Sequence, residues 1–168
     1  DYFKLNEDTV FEIGLTPNRA DAASHWGVAR DLAAWLQYKG IGGKAQLPSV
    51  ADFAIDNESR VIPVKVENGW AAPRYTSITV SGVKIAPSPQ WLQERLRAIG
   101  INPHNNVVDI TNFILHELGQ PLHSFDADKI AGGEVIVRCA EEGTPFVTLD
   151  GVERKLSAED LMICDREK

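Results

Sequence analysis

At 168 residues, 43% hydrophobic and 24% charged, the chain can bury a core of ordinary size and falls within the range of one or two domains. A net charge of −7 disfavours a surface built to grip a long phosphate backbone, and no basic stripe with interleaved aromatics is present to track a single strand. No apolar run approaches the roughly 20 residues that span a bilayer, and Asp1-Tyr2-Phe3-Lys4 lacks a basic start followed by a hydrophobic stretch, so the expected compartment is the cytoplasm.

In chain order, Val10–Leu15 predicts a strand, followed by a helix from about Ser24 to Tyr38 that Gly40 ends. Ala29, Leu32, Ala33 and Leu36 recur at helical spacing and give that helix an apolar face. Trp26 and Trp35 read as core or interface residues. From Gly40 to Arg60 the chain carries Gly42-Gly43, Pro48 and a cluster of Asp, Asn, Glu and Ser, which is linker chemistry. The boundary is therefore placed there, dividing the chain into 1–45, a linker at 46–60 and a second domain at 61–168. Within that domain, Val61–Glu67, Tyr75–Ile85, Glu134–Ala140, Phe146–Leu149 and Leu161–Cys164 concentrate β-formers and predict strands.

Two helices interrupt those strands. Ser88-Pro89-Gln90-Trp91, followed by Leu92, Leu96 and Ile99, predicts a helix with Ser88 as N-cap, Pro89 in the first position and Gly100 at the end. The Asn105/Asn106 pair caps the next helix, which Gly119 terminates, and the short Ile101–His104 connection makes the two helices neighbours. The expected fold class is α+β, or mixed α/β, in which a sheet carries the helices and a strand-helix segment precedes it. Cys139 and Cys164 are too few and too separated to define a metal motif or disulfide framework, and read as buried free thiols.

The second helix carries the candidate site. Asp109, Thr111 and Asn112 interrupt a run of Val107, Val108, Ile110, Phe113, Ile114 and Leu115, so the polar groups are not confined to one solvated face. A buried polar group without a partner costs roughly 1–3 kcal/mol. Asn112 is thus either a binding residue or an amide that bonds a neighbouring loop. Eleven residues beyond it, His123 sits in Gly119-Gln120-Pro121-Leu122-His123-Ser124-Phe125-Asp126. There Pro121 stiffens the backbone and presents the imidazole in a fixed direction, for a functional or a structural purpose. Asp109 reads as support for the turn. Arg74, Lys84, Arg95 and Arg97 are available to phosphates, although Arg95 and Arg97 also fit a solvated helix face.

Pro73-Arg74-Tyr75, Ser88-Pro89-Gln90-Trp91-Leu92, Asn105 to Asn112, Gly119 to Asp126, Val135-Ile136-Val137-Arg138 and Thr148 to Arg154 together resemble the B3/B4 domain of the bacterial phenylalanyl-tRNA synthetase beta subunit. Thr16-Pro17-Asn18-Arg19-Ala20-Asp21 and Gly27-Val28-Ala29-Arg30-Asp31-Leu32 resemble the B1 segment that precedes it in that family. On this resemblance, 1–45 is a B1-like segment and 61–168 is the first half of a B3/B4 editing domain, truncated on its C-terminal side.

The resemblance implies hydrolytic editing of Tyr-tRNA(Phe), with Thr111, Asn112 and His123 as substrate-binding residues. Asn112 and His123 are also the expected catalytic pair, positioning ester and water, without His123 acting as general base. A mainly apolar synthetic pocket rejects an added hydroxyl by only about a hundredfold, so such an enzyme needs a second, hydrolytic site. The partners implied are the alpha subunit, in a heterotetramer of two alpha and two beta chains, and the 3′ end of tRNA(Phe). No cofactor is expected in this segment, whereas ATP and magnesium are implied for the complete synthetase. The segment alone is expected to have no ligase activity and little editing. Rival readings are a free-standing deacylase of the same type, a non-catalytic tRNA- or subunit-binding module, and a metal-dependent hydrolase using His116, His123, Asp126 and Asp128.

Overall fold

The computed structural model describes residues 8–167, which form three α-helices, five short strands and three single 3-10 turns. This is the mixed α and β composition expected from the alternation of helical and strand-forming segments. Contacts divide the chain into two compact units that do not follow chain order: Asp1–Phe53 with Lys84–Ser124, and Ala54–Val83 with Phe125–Lys168. Each is described by itself.

The first unit is helical. Helix α1 (His25–Tyr38) starts where the Ser24 hydroxyl accepts the Gly27 N–H at 3.0 Å. Its end is closed by Ile41, whose N–H reaches back to the Leu36 carbonyl at 3.0 Å. Helix α2 (Gln90–Ala98) ends the same way, with the Ile101 N–H on the Leu96 carbonyl at 2.9 Å. Leu92 and Leu96, one helical turn apart, are both buried and anchor α2. Helix α3 (Asn106–Leu118) lies against α2, and Trp91 meets Phe113 edge-to-face with ring centroids 5.7 Å apart. One expectation shifts by a residue: the N-cap of α2 is Pro89, and the buried Ser88 hydroxyl turns inward to Asp109.

Ahead of α1, the 3-10 turn Ala20–Ala22 packs on the helix with Ala22 buried. Gly27 permits this approach, because a Cβ there would lie 2.3 Å from the Asp21 carbonyl oxygen and 2.5 Å from the Ala22 Cα. Arg19 fastens the turn from above, its guanidinium holding Asp21 at 2.9 Å and Asp31 at 2.6 Å, while Arg30 holds Asp21 at 2.9 Å.

The second unit is built on β1 (Val64–Val66), β2 (Val135–Cys139) and β5 (Leu161–Cys164), in the spatial order β1-β2-β5. β1 runs parallel to β2, with Val64 opposite Val135, and β5 runs antiparallel to it, with Val137 opposite Ile163. Burial along β2 alternates as a half-buried strand requires: Val135 and Val137 are buried, and with Ala72 they form the core against Ile62, Val64, Val66, Tyr75 and Ile130. A separate hairpin pairs β3 (Pro145–Val147) with β4 (Glu153–Lys155).

Several sequence expectations are corrected. Val10–Leu15 and Tyr75–Ile85 carry β-forming residues but form no strand, because a strand exists only where a neighbouring edge completes its hydrogen bonds, and among the described residues none pairs with these segments. Apart from Tyr75, which packs against the core, their side chains stand exposed, Phe11 at 78% and Ile78 at 70%. Trp35 is likewise exposed and is no core residue of this chain, and Cys139 and Cys164 are half-buried free thiols. No segment between Ile41 and Pro63 is helix or strand.

Two outcomes follow from the attachment of the turn to α1. Gly27→Ala should lower unfolding stability by about 1–3 kcal/mol in a urea titration, the usual cost of overpacking. The carboxyl of Asp21 is held below its ordinary 3.8 chiefly by the hydrogen bond from Arg19, aided by the charges of Arg19 and Arg30. A lowered folded value stabilises above the ordinary carboxylate range and is lost as pH falls through the lowered value. NMR titration should therefore show a depressed Asp21 midpoint, returned toward the ordinary value in Arg19→Ala.

Candidate functional site

The polar residues of α3 divide by the bonds they make. Asn105 caps the helix, its side-chain oxygen accepting from Val107 N at 3.0 Å and Val108 N at 3.1 Å. Asn106 ties the helix to the preceding segment, accepting from Ala86 N at 3.3 Å and donating to the Lys84 carbonyl at 2.9 Å. Asp109 is fully buried and accepts from two places at once, the Ser88 hydroxyl at 2.5 Å and the His104 N–H at 2.7 Å. The expected role of Asp109 as support is thus specific: it joins the entry of α2, the connection after α2, and the first turn of α3.

Thr111 and Asn112 stand side by side on the next turn, both half-buried. The Thr111 hydroxyl donates to the Val108 carbonyl at 2.7 Å, which orients its oxygen and leaves its acceptor capacity open. The Asn112 carboxamide has no hydrogen bond among the described residues, and it is not a sealed, unsatisfied group either. It is held on a rigid helix with two donors and an acceptor to offer.

Gly119 ends α3 at φ 78°, a backbone conformation that Cβ-bearing residues rarely adopt, and its N–H bonds the Leu115 carbonyl at 2.8 Å. Beyond it His123 stands exposed on the connection. Thr111, Asn112 and His123 therefore belong to one compact unit, two on the helix and one on its exit. The structure adds a residue that sequence reading missed: His25, at the start of α1, contacts the His116 carbonyl through Nδ1 at 2.9 Å. No local pattern reveals a pairing between residues so far apart in the chain.

The cations Arg95 and Arg97 serve the helix surface, with Arg95 3.6 Å from Asp8 and Arg97 donating to Gln93 at 2.8 Å. Among the described residues no group of three or more His, Cys, Asp and Glu side chains is arranged to hold a metal ion. Of the residues in the metal-hydrolase reading, Asp126 caps a 3-10 turn and Asp128 pairs with Arg60 at 2.7 Å. An open hollow on the β3–β4 hairpin, lined by Phe146, Leu149 and Arg154 among others, contains none of the candidate site residues. No helix among the described residues is long and apolar enough to cross a membrane.

The family model of the B3/4 domain matches residues 71–168. The chain belongs to the B3/4 domain family. The match includes α2, α3 and all strands from β2 onward, and draws on both compact units. The chain is also similar to phenylalanine–tRNA ligase beta subunits: it is 59% identical to that of Bacteroides fragilis over 167 residues, covering 99% of the chain and 20% of the relative. To the Bacteroides thetaiotaomicron subunit it is 58% identical over 168 residues, covering 100% of the chain and 20% of the relative. To the Bacillus subtilis subunit it is 49% identical over 162 residues, covering 96% and 20%. The chain thus spans about a fifth of the length of these relatives, and the similarity extends over the residues ahead of the family-model match as well as over the match itself.

The support that Asp109 gives α3 is open to direct measurement. Asp109→Ala would strand the Ser88 hydroxyl and the His104 N–H inside the unit, and unfolding stability should drop by about 2–4 kcal/mol. Asp109→Asn, which keeps an acceptor oxygen, should lose less in the same denaturant titration.

Proposed function

We propose that this chain is a segment of a phenylalanine–tRNA ligase beta subunit and that it contributes to hydrolysis of tyrosine misattached to tRNA(Phe). The observation that carries the reading is the Asn112 carboxamide, presented without a hydrogen bond among the described residues beside the oriented hydroxyl of Thr111 on a helix fixed at both ends. The similarity to beta subunits across the B1-like and B3/4 portions favours a subunit over a free-standing deacylase. In this proposal 1–45 is the B1-like segment, 46–60 the linker and 61–168 the editing portion. The further partners are the alpha subunit and the tRNA 3′ end, in the cytoplasm.

The chemistry asked of these residues is modest. An aminoacyl ester is already activated, so water need only be held in line with its carbonyl for the acyl–oxygen bond to break, releasing tyrosine and leaving the ribose hydroxyl on the tRNA. Asn112 and Thr111 supply hydrogen bonds to the terminal adenosine and the ester. His123 positions the ester and the attacking water, and the neighbouring ribose hydroxyl of the substrate assists proton transfer. Discrimination comes from the tyrosine hydroxyl itself, since a polar partner placed for it is left unpaired by phenylalanine. ATP and magnesium belong to amino-acid activation in the complete ligase. Among the described residues no group of His, Cys, Asp and Glu side chains is arranged to hold a metal ion, and the roles proposed here are those of the protein side chains.

In the complete ligase assembly, Asn112→Ala and His123→Ala should each slow Tyr-tRNA(Phe) deacylation by about 10- to 100-fold, the scale of losing a positioning contact. Charging with phenylalanine should be unchanged. Wild-type clearance in both variants would leave only a binding or structural module. The 168-residue chain alone should show no aminoacylation in a charging assay.

A further inference from the structure

The C-terminal end of α3 is closed from outside the helix. The last carbonyls of an α-helix have no partner within it; at this end the Leu115 carbonyl is taken by the Gly119 N–H, while His116 is satisfied by a side chain from α1. A carbonyl can only accept, so the His25 Nδ1 bears the hydrogen and donates it at 2.9 Å. Gly119 also lies close to Ser24, the N-cap of α1: a Cβ added at Gly119 would stand 3.4 Å from the Ser24 Cβ. Ser24 and His25 are themselves held in place, through the Ser24 cap on Gly27 and the close seating of the 3-10 turn against Gly27.

The connection to His123 leaves α3 at this clamped point. Its direction is set by the orientation of the last turn, by Gly119 at φ 78° and by Pro121, which restricts the backbone further. The hydrogen bond at the His116 carbonyl, with Gly119 lying close to Ser24, therefore fixes the base from which His123 projects.

Resting on the editing function proposed above, we propose that His25, from the B1-like segment, is a positioning residue for that site: its Nδ1 donor locks the end of α3 and so sets where His123 stands relative to Thr111 and Asn112. The B1-like segment is then part of the editing machinery, acting through the helix it clamps. Removing the donor leaves the substrate contacts themselves intact but loosens the loop. The rate of hydrolysis falls without a matching loss of tRNA binding.

The test uses the complete ligase assembly with His25→Leu, which removes the donor, and His25→Asn, whose side-chain amide places a donor near the position of Nδ1. Deacylation of Tyr-tRNA(Phe) should lose about tenfold in kcat with KM unchanged in His25→Leu. Hydrogen–deuterium exchange of the Gln120–Ser124 amides should quicken in the same variant, and His25→Asn should restore both. Charging with phenylalanine serves as the control for folding and assembly. A kcat and exchange rate at the wild-type level in His25→Leu, in an enzyme that His123→Ala inactivates for editing, would overturn the inference alone. So would a loss that His25→Asn fails to restore. If Asn112→Ala and His123→Ala also leave hydrolysis intact, the assignment of the site falls and takes the positioning role with it.

Discussion

The helical unit depends on one buried side chain. Asp109 has no exposed surface, and each of its carboxyl oxygens takes a hydrogen bond from a different stretch of chain, one from the Ser88 hydroxyl before α2 and one from the His104 N–H after it. Burying such a group is costly unless it is bonded, so the three segments are compelled to meet in one arrangement. Around that point Leu92 and Leu96 supply apolar burial, and Trp91 and Phe113 set the contact between α2 and α3. The apolar contacts make the association favourable. The carboxyl group makes it specific.

Once Asp109 is satisfied, the remaining polar groups of α3 are sorted by default. Asn105 and Asn106 are consumed by the start of the helix, and Thr111 bonds one turn back. Asn112, half-buried beside the Thr111 hydroxyl, makes no hydrogen bond among the described residues and so has its amide to offer outside the chain. At the far end the same accounting brings in α1, whose His25 takes up a carbonyl that the helix cannot satisfy itself. The ionic cluster of Arg19, Asp21, Arg30 and Asp31 acts at the surface and contributes chiefly by fixing how the preceding turn sits on α1.

Local patterns were legible where the governing physics is local. The helix over His25–Tyr38, the cap at Asn105, the stop at Gly119 and the strands at Val135–Cys139 and Leu161–Cys164 can all be read from spacing, short polar side chains and glycine. Where formation depends on a distant edge, reading failed: Val10–Leu15 and Tyr75–Ile85 have the composition of strands and lack a partner among the described residues. Ser88 shows the same limit at the level of one side chain, since its hydroxyl has a cap to make nearby and a buried carboxyl group to meet, and the carboxyl group wins.

By itself the sequence determined the class of fold, the family, the three helices with every end but the start of α2, and the short set Thr111, Asn112 and His123 from which a site can be argued. It did so because caps, amphipathic spacing and motifs are written in residues a few positions apart. Only the tertiary structure decided that Asp109 is spent on Ser88 and His104, that Asn112 is left to offer its amide, and that His25 closes the end of α3. Those outcomes rest on hydrogen bonds between segments up to 91 positions apart, and no local preference encodes which distant donor will reach a given acceptor.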